Sequence, residues 1–439
     1  MGTVIDNSTI KKYPAYKDSG IEWSGLVPEN WGALPIRAIF EERNEKNEGR
    51  KTDYILSVTK DRGVIPYDEK GAIGNNKSED IERYKLVYPN DFVINKMNVV
   101  IGSLGMSKYF GAFSQVYLVY KPKTNQININ YYSYIFSNPS FYKSLIKYCT
   151  GIMELRESLN KEDFKKLILP FPNYQTQTAI VDYLDRKTAL IDQAINIKQK
   201  QIELLKERRQ ILIHKAVTRG LNPNVKMKNS GVEWIGEIPE GWEVKKLKYI
   251  LIERNERSIT GSEPLFMMSQ IHGLVVRAEY HEKAEVANTS EGNKIVYKND
   301  LVFNKLKAHL GVFFKSTIDF SGLVSPDYAV YYSNGIIEDV KFLEYLFRCP
   351  EYLKQFICRI TGIVEGLMRL YTHDLFDISI PIPPKSDQKE ILNFIHNYET
   401  KIATAISLKE QEIEKLKEYK AALINSAVTG KIKVYNDVK

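Results

Sequence analysis

The chain is one unit written twice, and that constrains its fold more than any other feature. GIEWSGLVPENW begins at Gly20 and GVEWIGEIPEGW at Gly231, a shift of 211 positions, with Gly, Glu, Trp, Gly, Pro, Glu and Trp recurring in order. The same shift carries Glu42-Arg43-Asn44-Glu45 onto Glu253-Arg254-Asn255-Glu256 and Gly151-Ile152 onto Gly362-Ile363. It also carries LPFP at 169–172 onto IPIP at 380–383, and Ala216-Val217-Thr218 onto Ala427-Val428-Thr429. Asp-Phe-Val-Ile-Asn-Lys at 91–96 meets Asp-Leu-Val-Phe-Asn-Lys at 300–305 with a shift of 209, so a two-residue loop difference lies upstream. Between these blocks the halves diverge: RGVIPYDEKGAIGNNKSED at 62–80 has no recognisable counterpart in HGLVVRAEYHEKAEVANTS at 272–290. The pattern is a shared scaffold with different surface loops.

Each half is expected to be α+β. Stretches such as 54–58, 91–94 and 116–120, rich in Val, Ile, Tyr and Phe and bounded by Gly, Pro, Asn and Asp, read as strands. Asn138-Pro139 and Cys349-Pro350 open short helices, with proline at a tolerated first-turn position, expected to run to Gly151 and Gly362. After the paired prolines each half becomes a helix without Gly or Pro, from about Gln175 to Thr218 and from about Asp387 to Thr429. Leu184, Ile191, Lys198, Leu205 and Leu212 repeat every seven residues, with Thr188, Ile195, Ile202, Arg209 and Ala216 as companion seam. The second helix matches position for position: Ile395, Ile402, Lys409, Leu416 and Leu423, with Glu399, Ile406, Ile413, Lys420 and Ala427.

At 1.5 Å per residue, roughly 40 residues span about 60 Å, more than one head can cover, so each helix is expected to pair with its twin. A pseudo-two-fold relation between the halves would make the long helices an antiparallel coiled coil separating two strand-rich heads, and would bring Lys198 and Lys409 together in a polar central layer. The expected domains are 1–173 for the first head, 174–220 for the central helix, 221–384 for the second head and 385–439 for the C-terminal helix and tail.

Hydrophobic residues make up 43% and charged residues 26% of the 439, the balance of a folded soluble protein. No run approaches the roughly 18 apolar residues of a membrane span, and the N-terminus lacks a signal peptide's apolar core, so the expectation is a cytoplasmic protein without a membrane partner. Cys149, Cys349 and Cys358 form no C-x-x-C pair, which argues against disulfides and structural metal. A net charge of +8 permits nucleic-acid binding without demonstrating it.

Two GxEWxGxxPxxW entries, each followed by a divergent domain, a P-x-P exit and a long heptad helix ending in Ala-Val-Thr, resemble the specificity subunits of type I restriction-modification systems, the HsdS family. The resemblance covers essentially the whole chain. It implies two target-recognition domains, each reading one half of a bipartite asymmetric site on double-stranded DNA. It also implies that the helices act as spacer and dock two modification subunits. Restriction subunits then join, and S-adenosylmethionine, ATP and Mg belong to those partners, with no cofactor in this chain. An acidic-Gln pair usual at each helix start stands here as Asp387-Gln388, but as Thr176-Gln177 in the first half. A related bipartite-site system with a fused methyltransferase-nuclease partner is the near alternative, and a coiled-coil scaffold that never touches DNA the distant one.

Direct readout would use Arg, Lys, Asn and Gln on loops entering the major groove. Candidate DNA contacts are Arg43, Lys51, Lys60, Arg62, Lys77, Lys96 and Lys108 in the first head, interleaved with Tyr54, Tyr67 and Tyr109. In the second head they are Arg254, Arg257, Arg277, Lys305, Lys307 and His309. The recurring pairs Arg43/Arg254 and Lys96/Lys305 point to a shared role, phosphate contact or scaffold, because shared residues cannot read different sequences.

An enzyme reading finds no support in the sequence. Asn138-Pro139-Ser140-Phe141 lacks the second proline of an adenine-methyltransferase motif, and Cys349-Pro350-Glu351-Tyr352 lacks the amide; helix capping explains both. GAIGNNKS at 71–78 lacks the spacing of a phosphate-cradling loop, and Glu418-Tyr419-Lys420 lies on the long helix without an acidic strand nearby. The expectation is a non-catalytic subunit.

Overall fold

The computed structural model describes residues 11–21, 23–60, 62–71, 80–150, 158–280, 290–362 and 368–434. Lys77, Gly151, Ile152, Ile363 and most of GAIGNNKS lie outside them. The chain folds as two compact units, residues 1–199 with 410–439, and residues 200–409. Each unit contains one head, the start of the helix that leaves it, and the end of the helix that arrives from the other half.

In the first head, Phe40–Glu42, Tyr117–Pro122, Phe92–Asn95 and Leu104–Met106 form, in that order, an antiparallel four-stranded sheet. Leu251–Glu253, Tyr328–Ser333, Leu301–Asn304 and Phe313–Lys315 do the same in the second. Val93 faces Val119 and Val302 faces Val330, so the shift read from the sequence is a shared strand register. A ribbon of Lys85–Val87 with Gly111–Phe113, and a hairpin of Leu56–Thr59 with Gly63–Pro66, complete the first head's strand layer. Their equivalents are Lys294–Val296 with Gly322–Val324 and Phe266–Ser269 with Gly273–Val276. The segments 62–80 and 272–290 therefore share their first strand, although the sequences there have only glycine and apolar character in common.

The helices opened by Pro139 and Pro350 are shorter than expected: Pro139–Ser144, followed by a 3-10 turn, and Pro350–Ile357. Backbone pairing outcompetes further helix, since Cys149 pairs with Leu159 and Thr361 with Arg369. The P-x-P exits are strands. Ile168–Phe171 pairs with Gly32–Pro35, and Ser379–Ile382 with Glu243–Lys246, so each head's exit is sewn to the residues just after its entry tryptophan.

The long helices run Tyr174–Arg219 and Lys385–Val428. In the first unit Leu184, Ile191, Ile195, Ile413, Leu423 and Ala427 are buried and Leu416 is half-buried; in the second Ile202, Ala216, Ile395 and Ile402 are buried and Leu205 and Leu212 half-buried. Ion pairs set the direction within each unit. Lys198 reaches Glu412 at 2.6 Å and Lys420 reaches Asp192 at 2.7 Å, so as one helix advances its partner retreats, and the pairing is antiparallel. Arg209 and Glu399, 3.8 Å apart, continue the pattern in the second unit. The charge of Lys198 is thus met by a carboxylate.

Candidate nucleic-acid interface

Arg43 and Arg254, the recurring arginines of the two heads, each close on a buried carboxylate. Arg43 donates from Nε to Asp91 Oδ2 at 2.7 Å and from Nη2 to Oδ1 at 3.1 Å, and lies 4.4 Å from the Tyr88 ring centroid. Arg254 repeats the geometry on Asp300 at 2.8 and 3.0 Å, between Tyr297 and Tyr332. Both carboxylates are buried and also accept a backbone N–H, from Tyr88 and Tyr297. Burial pushes the Asp91 carboxyl up against the pull of Arg43, and the Asp300 hydrogen bond holds the Arg254 guanidinium charged. Both guanidinium forks are thus occupied by carboxylates.

The other sequence candidates fall into three groups. Lys51, Arg62 and Arg257 are tied locally, to Glu45 at 2.9 Å, to Glu69, and to the Gly292 carbonyl at 2.7 Å. Lys60, Lys108 and Lys307 are exposed. Lys96, Arg277, Lys305 and His309 are half-buried, and burial, with Lys294 and Arg369 close by, pushes the Lys305 ammonium down. Lys85, half-buried, and Lys294, buried, which the sequence reading passed over, are equivalent: Lys85 donates to the Tyr117 carbonyl at 3.0 Å and Lys294 lies 3.3 Å from Glu253. Their recurrence at a shift of 209 was the available signal.

The place where one backbone carries two chemistries is the hairpin tip. Gly63 and Gly273 close equivalent turns with φ of 63° and 78°, a conformation that favours glycine. The first turn carries Lys60 and Arg62, the second Gln270, Ile271 and His272. Ile271 is 85% exposed, and His272 packs on Tyr280 at 4.9 Å. Gln270 and His272 were absent from the sequence candidates, because their equivalence to Lys60 and Arg62 emerges only once the hairpins are aligned.

The model of the type I restriction modification DNA specificity domain matches this chain twice, over residues 28–207 and 239–418. The chain belongs to that family. Each match takes in one head and most of the helix leaving it, so the specificity-domain unit is the repeat found in the sequence. Among relatives of this specificity subunit, the putative type I restriction enzyme MjaX specificity subunit of Methanocaldococcus jannaschii is 26% identical over 93% of this chain and 95% of its own length. The type I restriction enzyme MjaVIII specificity subunit of the same organism is 24% identical over 96% of this chain and 98% of its own length. The fold matches the HsdS subunit from Thermoanaerobacter tengcongensis with a TM-score of 0.52 at 12% identity, covering 92% of this chain and 98% of that one. A chain from a structure described as the basis of complex assembly and conformational transition of the type I R-M system gives 0.64 at 12% identity, covering 92% and 99%. The specificity subunit has no described helix long and apolar enough to cross a membrane.

Proposed function

We propose that this type I specificity subunit grips duplex DNA with both heads and reads a split, asymmetric site, one half per head. The observation that carries the reading is the pair of hairpin tips: turns closed by Gly63 and Gly273 give the two heads equivalent backbones, on which Lys60 and Arg62 stand where Gln270 and His272 stand in the other head. Arg and Lys suit guanine O6 and N7, and Gln suits adenine N6 and N7, so the two tips favour different bases. Lys96, Lys108, Lys305 and Lys307 fit phosphate contacts, which fix register without carrying sequence information. In this division of labour the long helices hold two modification subunits, which supply S-adenosylmethionine and flip and methylate an adenine in each half-site. Restriction subunits supply ATP- and Mg-dependent translocation and cleavage.

The test is to express the chain with the modification subunit of its system in a methylation-free host and map N6-methyladenine across the genome by single-molecule sequencing. The expected result is one bipartite, non-palindromic motif with a fixed gap. Absence of any motif, with a modification subunit that is active beside another specificity chain, overturns the reading.

A further inference from the structure

Inside the unit formed by residues 200–409, where the last turns of the central helix meet the second head, lies a cavity of about 140 Å³. Thr218, Trp234 and Pro381 frame it, and Glu237, Glu351 and Tyr352 line it with polar groups. Tyr352 is 2% exposed, yet its hydroxyl has no hydrogen-bond partner among the described residues. A buried hydroxyl in that state is unfavourable. Burial pushes the phenol up, so the group stays an uncharged hydroxyl.

Packing does not require that hydroxyl. In the first unit Phe141 stands at the equivalent position and meets Trp23 edge-on at 5.4 Å, as Tyr352 meets Trp234 at 5.0 Å. The frame recurs there as Trp23, Pro170 and Thr429, whereas Leu26, Ser140 and Phe141 stand in place of Glu237, Glu351 and Tyr352. The two carboxylates and the hydroxyl are therefore present together in one unit and absent together from the other. A binding site added to a shared frame has that pattern.

The groups present set the sign of the ligand. Thr218 donates its hydroxyl proton to the His214 carbonyl at 2.7 Å, which leaves its oxygen as an acceptor. That oxygen joins the two carboxylates and the phenol oxygen, so acceptors predominate. Of the donors beside them, His214 is already engaged with Glu351 at 3.1 Å, and Arg219 lies exposed at the rim. The rings of Trp234 and Tyr352 also favour a positive charge. Among the described residues no group of three or more His, Cys, Asp or Glu side chains is arranged to hold a metal ion, which leaves an organic cation. The volume is close to the ~150 Å³ of a cavity that takes up one benzene ring, which limits the ligand to a compact head on a short stem. We infer that this cavity binds a small organic cation, a guanidinium or primary ammonium, whose N–H groups are accepted by Thr218, Glu237, Glu351 and Tyr352. The inference goes beyond the proposed function and does not depend on it.

The test uses the full chain with ethylguanidinium or butylammonium chloride, followed by saturation-transfer NMR against sodium chloride at equal ionic strength, with butyrate as the anion of matching stem. Wild type is expected to bind both cations with a Kd on the order of 1 mM, roughly what five or six well-placed heavy atoms give, and not to bind butyrate. Tyr352→Phe, which matches the first unit and keeps the ring packing, should weaken binding at least tenfold without lowering the Tm. Glu237→Gln/Glu351→Gln should weaken it at least as much, with circular dichroism to check that the variant folds. N-acetylarginine amide separates the two sources of such a head: affinity equal to that of ethylguanidinium points to an arginine side chain of another protein, and weaker affinity to a free cation. Unchanged binding by folded Tyr352→Phe, no cation binding by wild type, or a preference for butyrate would each overturn the inference and leave the proposed function untouched.

Discussion

At Trp31 the first unit buries an indole N–H with no acceptor among the described residues. Its counterpart Trp242 donates to Asp387 Oδ2 at 3.3 Å. The position equivalent to Asp387 is Thr176, the one departure from the acidic-Gln pair, so a difference that looks trivial in the sequence leaves a buried donor unpaired. Replacing Thr176 by aspartate should supply the acceptor and add a carboxylate to the first turn of the helix, where the macrodipole favours it. The expected outcome is stabilisation by about 1 kcal/mol, read as a higher urea midpoint with an unchanged slope. The opposite change, Asp387→Thr, should cost a similar amount. The indole's neighbourhood also explains the terminal glycines: Gly430 and Gly220 follow the two helices at φ of 72° and 74°. A Cβ on Gly430 would meet Pro28 at 2.4 Å and one on Gly220 would meet Trp242 at 3.4 Å. The recurring Pro and Trp of the entry motif thus form seats for arriving helix ends.

Among elements, the joint between head and departing helix is closely matched in the two units. Gln177 is buried, accepts from the Asn128 N–H at 2.8 Å and donates to the Pro172 carbonyl at 2.8 Å. Gln388 is buried, accepts from the Glu338 N–H at 3.0 Å, and donates to the carbonyls of Pro383 at 2.9 Å and Ile336 at 3.0 Å. One amide therefore ties the exit strand, the head and the helix start, which fixes the direction in which the helix leaves. Replacing Gln388 with leucine should leave the buried Pro383 carbonyl and two partly buried backbone groups without this partner and cost about 1–3 kcal/mol. A urea titration by circular dichroism, with Gln388→Glu as a second variant that keeps the shape and the acceptor, checks this. The heptads were legible as helices because their period is local, and the glutamines were legible as a motif. That the glutamines act as joints was not, since their partners within the head lie about fifty positions away.

The arriving helix ends are joined differently in the two units. In the first, Tyr131 donates its hydroxyl to the Val428 carbonyl at 2.8 Å, Asn138 donates to Asn425 at 2.9 Å and Tyr16 donates to the Gly430 carbonyl at 3.2 Å. In the second, His214 and Glu351 meet at 3.1 Å, and the position equivalent to Tyr131 is Phe342. The two halves therefore share a scaffold yet have distinct joints, as their hairpin tips have distinct chemistry. This separation of scaffold from tip predicts how the whole molecule responds to an exchange. Grafting Gln270-Ile271-His272 in place of Lys60-Asp61-Arg62 should change bases in only one half of the methylated motif and leave the gap and the other half as they were, which the same genome-wide mapping would detect. A change in both halves would mean that the tips act on the fold rather than on the bases.

The duplication, the α+β class of each head, the extent of both long helices and the family were determined by the sequence alone. Repeats, strand alternation and heptads are patterns of neighbouring residues, and a chain carries such patterns wherever it folds. Tertiary structure alone decided that Arg43 and Arg254 close on Asp91 and Asp300, that Lys198 meets Glu412, and that the hairpin tips are equivalent positions. Each of these depends on which distant segment is brought alongside. That is settled by the burial of both surfaces together, a property of the pair that neither stretch of sequence records by itself.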